Sequence, residues 1–268
     1  MLGRLLSSAG TILIVAVPAG VLLARAGAAQ VRDLNDAINK AGRQRMLSQR
    51  CAKAWLALGQ KVRPDLAEKV LTESMSLFDR QLAELRAFAP APAIGNTYEQ
   101  LAAAWSTLHS ALVGVPPARP AAEAMLAAAS RVLALADQGT QQLEQVSGKP
   151  LGRIVNIAGR QRMLSQRMAA LYLGASWGVQ RGAAMQALDS SRSEFTQALA
   201  LLKAAPEATP AIRAELELAE QQFSFFDSAL RSLNAGATDA RAQADVFTTS
   251  ERILQVMDGV TGQFARQG

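Results

Sequence analysis

The chain has little of what most active sites and small scaffolds are built from. It contains one cysteine and one histidine in 268 residues. The lone Cys51 excludes an internal disulfide framework, and with a lone His109 there is no cluster of thiolates, imidazoles and carboxylates at metal-ligand spacing. The same scarcity removes the parts of a Ser-His-Asp relay, and no Gly-rich phosphate loop is present. Aromatic residues make up 5% of the chain. β-Branched residues thin out after the first thirty or so positions, which argues against a sheet, whereas the dominant Ala and Leu favour helix. No apolar run beyond the N-terminus approaches the ~20 residues that a membrane span requires. These absences leave no catalytic residue, metal site or cofactor to assign, and the chain reads as a non-enzymatic, all-α protein.

The first residues form a pattern of their own. Arg4 precedes an apolar stretch from Thr11 to Leu23 that is interrupted by Pro18 and Gly20. Ala24-Arg25-Ala26 then offers a small-x-small cleavage site, with Ala28 and Ala29 as alternatives. Residues 1–26 read as a secretion signal, which places the mature protein in the periplasm; the alternative is an inner-membrane anchor formed by the same segment uncleaved. Loss of Arg4 and Arg25 lowers the net charge from +6 to +4. That mild basicity suits small anions and is too weak a footprint for nucleic acid.

What the chain does have is a duplication. Ala-Gly-Arg-Gln-Arg-Met-Leu-Ser-Gln-Arg occurs at 41–50 and again at 158–167, with Asn39 and Asn156 at equivalent positions ahead of each copy. A repeat kept only for packing retains its apolar pattern and lets polar residues drift; here the polar residues are identical. At the same offset of 117, Ser74, Phe78, Leu82 and Leu85 fall on Ser191, Phe195, Leu199 and Leu202. With small insertions, Asp137 and Thr140 meet Asp258 and Thr261. The mature chain is therefore read as two units, 27–147 and 148–268, each with its own core.

Helical spacing and Pro/Gly punctuation divide each unit into four helices: about 29–60, 65–88, 98–113 and 121–146, then 151–179, 183–204, 211–233 and 239–265. Short connections favour antiparallel neighbours, giving two tandem up-down four-helix bundles in which the first and fifth helices run parallel. In helical projection Ile38, Gly42, Arg45, Gln49, Ala52 and Leu56 share one stripe, Asn39, Arg43, Met46 and Arg50 a second, and Leu47, Cys51, Trp55 and Leu58 the far side. Such a helix is contacted all round. Small residues in the first stripe invite close approach of another helix, yet Arg45 lies between them. A buried guanidinium needs a carboxylate, carbonyl oxygens or a bound anion, and no acid lies within either copy. Arg45 and Arg162 can face one another across a pseudo-twofold axis with one oxyanion between them; alternatively the units are strung end to end. The competing account of the arginines is interhelix salt bridges to acids such as Glu73, Asp79 or Asp137, with Arg43 and Arg50 the first candidates. Met46, Leu47, Met163 and Leu164 read as core, Ser48 and Ser165 as bonded to the preceding turn, and Cys51, aligned with Met168, as a small buried apolar residue.

The motif, opening a four-helix unit behind an export signal, resembles the N-terminal sensory domain of type IV pili methyl-accepting chemotaxis transducers, the PilJ-type domain, and both units share the resemblance. It is also similar to the periplasmic domain of nitrate and nitrite sensor kinases, with Arg43-Gln44 and Arg160-Gln161 replacing a small and apolar pair there. The resemblance implies that Gly42 with Arg45 and Gly159 with Arg162 hold the ligand, with Arg50 and Arg167 the second arginine of each box; Gln49 and Gln166, on the same helical stripe, complete the candidate ligand-binding set, and Asn39, Arg43, Asn156 and Arg160 are secondary positions. It implies a small oxyanion ligand, nitrate or nitrite first, and signalling to a separate membrane sensor or transporter, with a second copy of the chain a further candidate partner. The alternative is a helical scaffold of a chemosensory or pilus-related system, its Arg-rich stripe a docking surface without a small ligand.

Overall fold

A computed structural model describes residues 30–114, 116–233 and 239–267, so the secretion-signal reading lies outside the described residues. Eight α-helices and one 3₁₀ turn make up these residues: α1 (Leu34–Gly59), α2 (Pro64–Phe88), α3 (Pro92–Val113), the turn at Arg119–Ala121, α4 (Ala122–Ser147), α5 (Pro150–Ser176), α6 (Arg181–Ala204), α7 (Pro210–Arg231) and α8 (Ala240–Ala265). The fold is all-α with two tandem helical units. Among the described residues no helix is long and apolar enough to cross a membrane.

Helix boundaries follow local chemistry. Asp33 caps α1 by accepting from the Asp36 amide, so α1 starts later than the expected position 29. α3 starts at Pro92 rather than Tyr98, because a proline at the first helical position lacks only a donor that would be unpaired anyway. Gly95-Asn96-Thr97, expected as caps, are interior to α3. At the joint between units Gly148 takes the left-handed conformation that closes α4, and Pro150 opens α5. The hairpin turns repeat as well: Lys61 and Arg63 before α2 match Gly178 and Gln180 before α6, all with positive φ.

In the first unit α1 packs on α2 and α4, and α3 covers α4; in the second, α5 packs on α6 and α8, and α7 covers α8. Equivalent aromatic pairs fill both units, Phe78 stacked on Trp105 and Phe195 on Phe223. The units lie side by side rather than end to end, joined along α1 and α5, which also pack on each other. Gly42 meets Gly159 and Leu56 meets Gly174, so the two helices run parallel and nearly in register. The expectation of a separate core in each unit gives way here, because the buried apolar side chains form one cluster continuous through both. α1 and α5 supply it from several faces, with Leu47, Cys51, Trp55 and Leu56 buried on α1 and Leu164, Met168, Tyr172 and Leu173 on α5.

Candidate functional site at the α1–α5 crossing

The two copies of the motif meet at the centre of the molecule. A Cβ on Gly42 would lie 3.2 Å from Arg45 Nη2, 3.4 Å from Arg162 Nη2 and 3.8 Å from the Gly159 Cα. A Cβ on Gly159 would lie 3.1 Å from Arg162 Nη2 and 3.7 Å from Arg45 Nη2. The paired glycines thus let the helices approach, and both guanidiniums close over the crossing. Arg45 and Arg162 are 1% and 0% exposed.

Each arginine clamps three helices. Arg45 Nη1 donates to Asp137 Oδ1 on α4 at 2.6 Å, and its Nη2 donates across the crossing to Asn156 Oδ1 at 2.6 Å and to the Asn156 carbonyl at 3.2 Å. Arg162 mirrors this, donating to Asp258 Oδ1 on α8 at 2.5 Å and to the Asn39 carbonyl at 3.0 Å. The Nε donors of both arginines, also buried, have no hydrogen-bond partner among the described residues. Burial pushes the Arg162 guanidinium down to about 10, opposed by Asp258 and reinforced by Arg43 and Arg45; Arg45 is lowered for the same first reason, opposed by Asp137.

The other motif arginines lie on the flanks. Arg43 joins Arg162 on Asp258 at 2.7 Å, and Arg160 joins Arg45 on Asp137 at 3.2 Å while also pairing with Glu194. Arg50 meets Glu251 through Nε and Nη2, at 3.1 and 2.6 Å, and donates to Ser74 Oγ at 3.1 Å. Lys53, fully buried, donates to the same carboxylate at 2.6 Å and to Ser250. Arg167 is half-buried between α4, α5 and α6 and has no hydrogen bond or ion pair within the described residues. Among the described residues no group of histidine, cysteine and acidic side chains could hold a metal ion.

The family model for the type IV pili methyl-accepting chemotaxis transducer N-terminal domain matches the chain twice, over residues 28–139 and 146–247. The chain belongs to this family. Neither curated proteins nor solved structures gave a match. PilJ-type domains are sensory and signalling modules rather than catalysts, and this chain carries two in tandem.

The tandem PilJ arrangement brings Gly42, Arg45, Gly159 and Arg162 together with Asn39 and Asn156, and leaves Arg50 and Arg167 on opposite flanks. Gln49 and Gln166 are buried beside the crossing, each donating to the adjacent serine at 3.3 Å, and Gln166 also reaches the Ser250 carbonyl. Ser48 and Ser165 donate to the Arg45 and Arg162 carbonyls at 2.8 Å, as their helical positions suggested. Burial pushes the Cys51 thiol up to about 12, as suits a core residue. The salt-bridge account of the arginines holds for Arg43, Arg45, Arg50, Arg160 and Arg162, with Asp137 among the partners; Asp79 instead accepts from the Trp105 indole at 2.6 Å. The sequence had aligned Asp137 with Asp258. It had not flagged Glu251, Glu194 or Lys53, whose roles depend on pairs without an equivalent in the other unit.

Proposed function

We propose that this chain is an exported, non-catalytic sensory module that receives a small oxyanion, nitrate or nitrite first, between Arg45 and Arg162, and passes occupancy to a separate membrane sensor or transporter. One observation carries the reading: two fully buried guanidiniums converge from parallel helices over paired glycines, each with a free Nε donor. Guanidinium forks suit flat oxyanions, and like charges held this close gain from an anion between them. Export rests on the N-terminal charge and hydropathy pattern.

The same geometry supplies a route out of the site. Asp137 and Asp258 hold the forks for α4 and α8. An incoming oxyanion competes with both carboxylates, so occupancy loosens α4 and α8 against the α1–α5 pair. Arg45 and Arg162 are enclosed between α1 and α5 and offer no surface to another protein, which weighs against a docking role for that stripe. Calorimetric titration of the mature chain with nitrate, nitrite, sulfate and phosphate tests the proposal. One shared site predicts one anion per chain and loss of binding in either Arg45→Gln or Arg162→Gln. Binding that survives each single substitution makes the sites separate, and absence of binding by any anion removes the oxyanion.

A further inference from the structure

The internal duplication lets one half of the molecule be compared with the other, and the comparison identifies a second site. Around Arg50, the motif's last arginine in the first unit, the fork is filled by the Glu251 carboxylate, whose other cation is Lys53. At the equivalent positions around Arg167 stand Ser130 for Glu251 and Ala170 for Lys53. Two large charged side chains are thus replaced by two small ones, and the cavity between α4, α5 and α6 measures about 460 Å³ against about 380 Å³ for its twin beside Arg50, where Glu251 already fills the fork. The hydroxyl that accompanies the fork is retained. Ser74 donates to the Val70 carbonyl at 2.6 Å while accepting from Arg50; Ser191 donates to the equivalent Ala187 carbonyl at 2.7 Å, leaving its oxygen free to accept.

We infer that Arg167, with Ser191 and Ser130, forms a binding site for a small aliphatic monocarboxylate whose head takes the place that Glu251 has on Arg50. Three features define the ligand class. The fork matches a carboxylate because its twin already holds one bidentately. Glu194 and Asp137 also line the cavity, so a second negative charge on the ligand is repelled and dicarboxylates are disfavoured. Glu194 itself is engaged by Arg160 and leaves the Arg167 fork free. A neighbouring cavity of about 200 Å³ shares Ser130, Arg167 and Ala187 with the first and is bordered by Leu126, Ala170, Leu171 and Val179. A short alkyl tail fits there, where Lys53 occupies the corresponding space in the first unit.

This site is lateral to the α1–α5 crossing and does not depend on the oxyanion reading. The test is calorimetric titration of the full mature chain with acetate, butyrate and hexanoate at constant ionic strength, with 1-hexanol and nitrate as controls. Saturable binding of one carboxylate per chain is expected, tightening by roughly fourfold per methylene that becomes buried. Hexanol should not bind, and nitrate binding at the crossing should survive in Ser130→Glu. Arg167→Gln should weaken hexanoate at least tenfold. The decisive variant is Ser130→Glu, at an exposed position, which supplies an internal carboxylate as the first unit does; it should abolish binding and raise the thermal midpoint. No saturable binding by any carboxylate overturns the inference, as does binding that persists unchanged in Ser130→Glu and Arg167→Gln. Loss of nitrate binding together with hexanoate binding in Ser130→Glu would merge the two sites and overturn it too.

Discussion

Glu251 and Asp258 each accept from two cations on other helices, and this concentrates the acid sensitivity of the molecule in α8. Attraction to Lys53 and Arg50 outweighs burial and holds the Glu251 carboxyl at about 2, and Arg162 and Arg43 hold Asp258 at about 2. A carboxylate whose folded value is depressed stabilises the fold above its unfolded value, and that contribution is lost as pH falls through the folded value. Stability should therefore be steady above about pH 5 and decline between about pH 4 and 2. The Glu251 share is of the order of 2–3 kcal/mol. Denaturant unfolding across this range checks it, and Glu251→Gln should flatten the slope; an unchanged slope removes the assignment. Cys51 makes a second prediction: buried and pushed up to about 12, it should resist alkylation in the native protein and react only with denaturant present. At this scale the sequence was partly legible. Identical arginines marked the site, and the alignment of Asp137 with Asp258 was visible in it. Arg43 pairing with Asp258 joins positions from the two units, however, and no local spacing announces such a contact.

At the scale of the helices, glycines govern how closely α1 and α5 pack, and not all of them do so alike. At Gly59, the last residue of α1, a Cβ would sit 2.2 Å from the rigid Trp177 ring, which also lies against Trp55. At Gly42 the nearest atoms are guanidinium ends at 3.2 and 3.4 Å, which need give way by only a few tenths of an ångström. Alanine gains about 1 kcal/mol over glycine inside a helix, whereas overpacking a rigid contact costs about 1–3 kcal/mol. Gly42→Ala should therefore be nearly neutral in chemical denaturation and Gly59→Ala destabilising despite its better helix propensity. Equal effects at the two positions would show that Trp177 yields as easily as an arginine. Helix number, order and the parallel run of α1 and α5 were all readable from apolar spacing and short loops. Helix starts were less so, because Pro92 reads equally well as a loop residue and as the first residue of a helix.

For the whole molecule, the α1–α5 pair acts as an interface made within one chain. Residues 30–147 expressed alone leave the Gly42–Arg45 stripe of α1 uncovered, together with an arginine whose Asn156 partner is missing. A second copy offers Asn39 in place of Asn156 and Asp137 in place of Asp258, but Ser130 in place of Glu251, so the buried Lys53 and Arg50 lose their carboxylate. Ser130→Glu, which restores that carboxylate, should therefore favour a parallel homodimer of this half in sedimentation velocity, and a further Gly42→Leu should return it to monomer; a monomer that persists with Ser130→Glu would show that α1 does not need α5. The side-by-side join was legible in the sequence only as one of two options, because surface area between units leaves no periodic mark beyond the small-residue stripe. Joining the two halves covalently has a further consequence. In a homodimer every substitution appears on both sides of the axis, so Arg50 and Arg167 could not have acquired different surroundings. In one polypeptide a change is made once. The effective concentration of one half for the other is fixed by the connection, so assembly does not weaken when few copies are present. A response built on this pair should have the same midpoint at nanomolar and micromolar protein.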